Sequence, residues 1–112
     1  MTDGLKEKDR SGIIAVLEAC PKVQRAILFG SRAMGTFRRG SDVDLALEGG
    51  NIRLSDLVAI KAKIGKLNLP IEVDLLARAT IDNPELEKHI EEFGREWYLR
   101  SRPVSAEGEI GL

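Results

Sequence analysis

With 112 residues the chain has room for one domain, and 43% hydrophobic against 31% charged residues suits a folded globule rather than a disordered segment. Seventeen Lys and Arg against eighteen Asp and Glu leave a formal charge of −1, which argues against non-specific binding to a nucleic-acid backbone. No apolar run approaches the roughly 20 residues of a membrane-spanning helix, and MTDGLKEKDRSG is too polar for a signal peptide, so the expected compartment is the cytoplasm.

Residues 1–10 are polar and read as a flexible tail ahead of a domain over 11–100. From Ser11 to Cys20, the residues Ile13, Ile14, Leu17 and Cys20 share a helical stripe that Pro21 ends. Cys20 has no partner for an intramolecular disulfide and reads as a small core residue. Val23 to Phe29 then reads as a strand buried on both faces, closed by Gly30. The segment GSRAMGTFRRGS follows, with glycines at turns and room for one helical turn. Residues 42–47 (DVDLAL) alternate, with Val43, Leu45 and Leu47 on one face and Asp42, Asp44 and Ala46 on the other.

From Leu54 to Leu67, the apolar Leu54, Leu57, Val58, Ile60, Ile64 and Leu67 predict an amphipathic helix with Lys61, Lys63 and Lys66 outward. Residues 71–76 (IEVDLL) predict a third strand, Ile71, Val73 and Leu75 inward and Glu72 and Asp74 away. Asn83-Pro84 opens a last helix, whose stripe of Leu86, Ile90, Phe93 and Trp97 buries one side and leaves His89 in solvent. Trp97 and Tyr98 suit a core or an interface. The tail 101–112, with Pro103 and two glycines, reads as flexible. The expected fold class is α/β (α+β), a small sheet of three to four strands with helices on one face.

The acidic face of these strands carries the chemistry. Asp42 and Asp44 lie two apart on one strand and project the same way, and Asp74 has the same phase on a strand that can neighbour it. Three uncompensated carboxylates side by side repel one another, and a divalent cation relieves the repulsion. Oxygen donors without a nearby His or Cys favour Mg²⁺ or Mn²⁺. The preceding turn, Gly30-Ser31, can offer backbone N–H groups and a hydroxyl to a phosphate. Arg32, Arg38 and Arg39 in the same segment can add charge-assisted contacts, although Arg38 and Arg39 suit a solvated face better. Carboxylates for metal beside an anion-binding turn are what nucleotidyl transfer requires.

Residues 30–44 spell G-S-x10-D-x-D, and LFGSRAMGTFRRGSDVDLAL resembles the minimal nucleotidyltransferase domains of the DNA polymerase beta-type superfamily. The resemblance runs over roughly 13–98 through IEVDLL. It implies a mixed sheet with helices packed behind it. It assigns Gly30 and Ser31 to the nucleotide phosphates, Asp42 and Asp44 to metal, and Asp74 to the third carboxylate, with ATP as substrate. It also implies a HEPN-domain toxin as partner, which the chain would modify with AMP on a tyrosine; a further copy of this chain is the other candidate partner. Two other readings stay open, transfer to a small molecule such as an antibiotic, and a non-catalytic module that neutralises its partner by occlusion.

Overall fold

The computed structural model describes residues 3–101. Strands β1 (Arg25–Phe29) and β2 (Val43–Glu48) run antiparallel, paired from Arg25 opposite Glu48 to Phe29 opposite Asp44. Strand β3 (Val73–Ala77) lies parallel to β2, and β4 (Arg95–Leu99) antiparallel to β1, so the sheet order is β3-β2-β1-β4. The sheet is mixed, as the resemblance implies. Parallel neighbours require a crossover, and the helix α3 (Leu54–Gly65) supplies it.

The strict alternation in β2 decides which side is core. Val43, Leu45 and Leu47 meet Ala26 and Leu28 of β1 and Val73 of β3, and α1 (Glu7–Glu18) and α3 close over them with Ile13, Leu17, Ile60 and Ile64. The expectation of helices on one face describes these two. The last helix, α4 (Pro84–Phe93), departs from it by seating Ile90 on the opposite face against Ile27 and Ala46. On that face Ile27, Ala46 and Ile90 form a second, smaller cluster, with Phe29, Leu76 and Leu86 packed against it. Asp44 and Asp74 lie near the starts of β2 and β3, with Phe29 paired opposite Asp44.

The start of α4 follows its sequence signal. The Asn83 Oδ1 accepts the N–H of Glu85 at 2.9 Å and of Leu86 at 3.3 Å, with Pro84 at the first helical position. Such a cap contributes about 1 kcal/mol. Its end does not match the expected stripe, because the helix stops at Phe93 and Trp97 belongs to a fourth strand. A Cβ at Gly94 would stand 2.7 Å from Ile27 Cγ2, so the glycine lets the chain pass tightly against β1 and turn back beside it. A bulge between Ala26 and Ile27 shifts the β4 register, and Trp97 and Tyr98 both pack, partly buried, on the main core.

The first helix begins at Glu7, ahead of the Ser11 start that apolar spacing suggests. Its first turn, Glu7 to Arg10, contains no apolar residue, so periodicity is silent there. A polar knot anchors it instead. Asp3, only 5% exposed, accepts Arg10 Nε at 2.9 Å and the Leu5 N–H at 3.0 Å, while Leu5 packs on the core. Burial pushes the Asp3 carboxyl up, but the Arg10 and Leu5 hydrogen bonds outweigh it and hold the carboxyl below its usual range. Asp3, Leu5 and Arg10 therefore tie this segment to the fold, whereas the expected tail beyond Ser101, with Met1 and Thr2, lies outside the described residues. In α3 the stripe is narrower than expected, leaving Leu54 76% and Val58 62% exposed.

Candidate active site

One end of the sheet gathers the candidate residues. Because β1 is antiparallel to β2 and β3 is parallel to it, the exit of β1 meets the entrances of β2 and β3. Asp44 pairs in register with Asp74, on strands roughly 4.8 Å apart, so both carboxylates stand on the same face. Asp42 lies just before β2, two residues from Asp44, and is exposed.

These carboxylates repel one another. Asp44, half-buried, is pushed above its ordinary carboxyl range first by burial, then by the charges of Asp74 and Asp42. Among the described residues no ion pair reaches Asp42 or Asp44. Asp74 lies beside Lys61, whose Nζ is 3.6 Å from Asp74 Oδ1 and 3.9 Å from Glu72 Oε1. At such exposed groups an ion pair contributes about 0–1 kcal/mol. The donor set, all oxygen and like-charged, with Asp42 and Asp44 in no ion pair among the described residues, has the chemistry that suits a hard divalent cation. Among the described residues no three acidic, His or Cys side chains form a closed metal cage, so the carboxylates share a strand end without being drawn to one point.

Gly30 has φ 78° and ψ −159°, a region essentially open to glycine alone. A Cβ there would lie 3.3 Å from Asp44 Cγ and closer still to its carboxylate oxygen. The glycine is thus required twice, for its backbone conformation and for the close approach of Asp44. Its N–H, which sequence reasoning offered to a phosphate, instead donates to His89 Nε2 at 2.9 Å. Its carbonyl accepts the N–H groups of Ala33 and Met34, each at 3.1 Å, and so opens the short helix α2 (Ser31–Met34). Ser31 stands half-buried directly after this turn.

Arg32 requires a correction. It is 2% exposed, and its guanidinium donates to three backbone carbonyls, Asp3 at 2.9 Å, Ser41 at 3.0 Å and Arg39 at 3.3 Å, while lying over the Phe37 ring. A side chain sunk in this way ties the N-terminal segment and the 39–41 loop together and does not face a phosphate. Arg38 and Arg39 are exposed. Arg32→Lys keeps the charge but loses the fork, and is expected to lower unfolding free energy by about 2–3 kcal/mol in urea titrations while leaving ATP affinity of the folded protein unchanged. Normal stability with weakened ATP binding would restore a phosphate role for Arg32.

His89 is the residue that sequence reasoning misplaced. Rather than facing solvent, it is half-buried between Phe29, edge-on at 6.2 Å, and Phe93 at 5.4 Å. Its position next to Ile90 and one turn before Phe93 was the available signal, since it puts the ring at the border of the buried stripe.

The family description "Polymerase beta, Nucleotidyltransferase" matches residues 11–103. The chain belongs to this family. Among solved structures it is similar to a toxin–antitoxin crystallised with AMP-PNP, at 24% identity and a TM-score of 0.68, over 82% of this chain and 74% of that one. It is also similar to a variant of the toxin–antitoxin pair MntA–HpeT, at 25% identity and a TM-score of 0.66, over 87% and 75%. A third similar structure holds a tri-AMPylated Shewanella oneidensis HEPN toxin with its MNT antitoxin, at 17% identity and a TM-score of 0.60, over 95% and 79%. No curated protein matches significantly. As a nucleotidyltransferase-family domain, the chain carries its G-S and D-x-D residues at the strand end described above. Among the described residues no helix is long and apolar enough to cross a membrane.

Proposed function

We propose that this nucleotidyltransferase-family domain transfers AMP from ATP to a tyrosine hydroxyl of a HEPN-domain toxin, in the cytoplasm, and so acts as an antitoxin. The observation that carries this reading is the in-register pair Asp44 and Asp74, with Gly30 held against Asp44 at the same strand end. A Mg²⁺ or Mn²⁺ ion held by Asp42, Asp44 and Asp74 would polarise phosphoryl oxygens and neutralise charge developing in an in-line displacement. The Ser31 hydroxyl binds the triphosphate. Asp74, whose side chain is 52% exposed on the edge strand, takes the proton from the acceptor hydroxyl. A phosphoester bond forms at the α-phosphorus as its bond to pyrophosphate breaks.

Two further observations favour a protein acceptor. The exposed Leu54 and Val58 line a groove that also contains Lys61, Asp74 and Leu75, so apolar surface adjoins the carboxylate assigned to the acceptor. The similar solved structures are toxin–antitoxin complexes, one of them holding an AMPylated HEPN toxin.

The test incubates the purified protein with α-labelled ATP, Mg²⁺ and a lysate of its host. A labelled protein band is expected, absent with γ-labelled ATP and absent in EDTA. ATP binding without any band would favour a small-molecule acceptor or neutralisation by occlusion.

A further inference from the structure

The junction between β1 and α2 is held from two directions. The Gly30 carbonyl is taken by the first turn of α2, while its N–H is taken by His89, on a helix 59 residues later in the chain. An imidazole nitrogen that accepts a hydrogen bond carries no proton, so in this arrangement the ring's hydrogen is on Nδ1. Phe29 and Phe93 fix the ring's orientation, and Ile90, seated between Ile27 and Ala46, fixes the backbone that bears it. The acceptor is therefore presented by packed side chains of β1 and α4.

What it holds matters because of what Gly30 touches. The space that a side chain at Gly30 would need is filled by the Asp44 carboxylate, and Ser31 is the next residue. A rotation of the Gly30 peptide would move the Ser31 hydroxyl and alter the room left for Asp44. Substrate-positioning groups act on rate through such displacements, since even about 1 Å of misplacement costs on the order of a hundredfold.

We propose that His89 is a positioning residue for nucleotide binding and transfer, acting through the Gly30 peptide to set Ser31 against Asp44. The inference rests on the nucleotidyl-transfer reading, and nucleotide binding tests it separately. His89→Phe keeps an aromatic ring between Phe29 and Phe93 but removes the acceptor, whereas Oε1 of His89→Gln can accept in its place. Three measurements are made on both variants and wild type: Mg-ATP affinity by calorimetry, AMP transfer at saturating and limiting ATP, and hydrogen exchange of the Gly30 amide by NMR.

For His89→Phe the Gly30 amide is expected to lose protection, with Mg-ATP affinity and kcat/KM each falling about tenfold, the worth of one hydrogen bond. His89→Gln is expected to recover most of both. Equal losses in the two variants, or a deprotected Gly30 amide in His89→Phe with unchanged ATP affinity, would overturn the positioning role. Wild type that binds ATP but labels no acceptor would overturn the transfer reading and leave the binding comparison to decide for His89. Wild type that binds no nucleotide would overturn both.

Discussion

Asp44→Asn is expected to reduce AMP transfer by at least about a thousandfold and, without divalent cations at neutral pH, to raise the thermal midpoint. The first effect follows from removing a charge placed to hold metal where phosphoryl charge develops. The second follows from the direction in which the fold moves the Asp44 carboxyl. Burial, then Asp74 and Asp42, raise it above the 3.8 of an unperturbed aspartate, so the folded state binds that proton more tightly than the unfolded state. Its contribution to stability is then present below about pH 3.8 and lost as pH rises through the raised folded value. At neutral pH the ionised Asp44 destabilises the fold, and the substitution removes that cost. Thermal midpoints measured in EDTA from acid to neutral pH should show the variant gaining on wild type across this window. Mg²⁺ should stabilise wild type and not the variant, since a ligand bound only by the folded state adds to stability. A stability difference that ignores pH, or normal turnover, would refute the role given to Asp44.

Gly30→Ala is expected to lower stability by about 3 kcal/mol, a shift of more than about 10 °C in the melting temperature of a domain this size. Two costs combine. An alanine must occupy a backbone region that excludes side chains, and its methyl must displace the Asp44 carboxylate. Only the second cost depends on Asp44. The double variant Gly30→Ala/Asp44→Ala should therefore be less destabilised than the two single effects added, because the shorter side chain frees the space. Transfer should be lost in both, since the Ser31 turn and the Asp44 position are set together. Strict additivity in urea unfolding of the four proteins would mean that the methyl and the carboxylate do not meet.

These two positions also show how far the sequence could be read. The G-S and D-x-D residues are close in sequence and lie in elements whose pattern is local. Alternation in 42–47 sets the face of Asp44, and the same alternation in 71–76 sets that of Asp74. The glycine at position 30 ends a buried strand and announces a turn. The start of α4 was equally legible, because Asn83 caps N–H groups only two and three residues away.

What escaped was decided over longer separations. A helical spacing from Leu86 to Trp97 reads straight through Gly94, and only the pairing partner that β1 offers turns 95–99 into a strand. Arg32 looked like a phosphate ligand by residue type and place. Three carbonyls, Asp3 from the N-terminal segment and Arg39 and Ser41 from the loop after α2, take its donors instead. His89 looked solvated because its helix is charged, yet its acceptor is occupied by an amide 59 residues away. By itself the sequence determined the first three strands, their acidic face and the family motif, because side-chain alternation and turn chemistry act over a few residues. The tertiary structure alone decided that Asp44 and Asp74 are neighbours, that Gly30 is closed over by Asp44 and tethered by His89, and that Arg32 is a tie within the fold. Hydrogen bonds and close packing between distant segments exist only once the chain has brought them together.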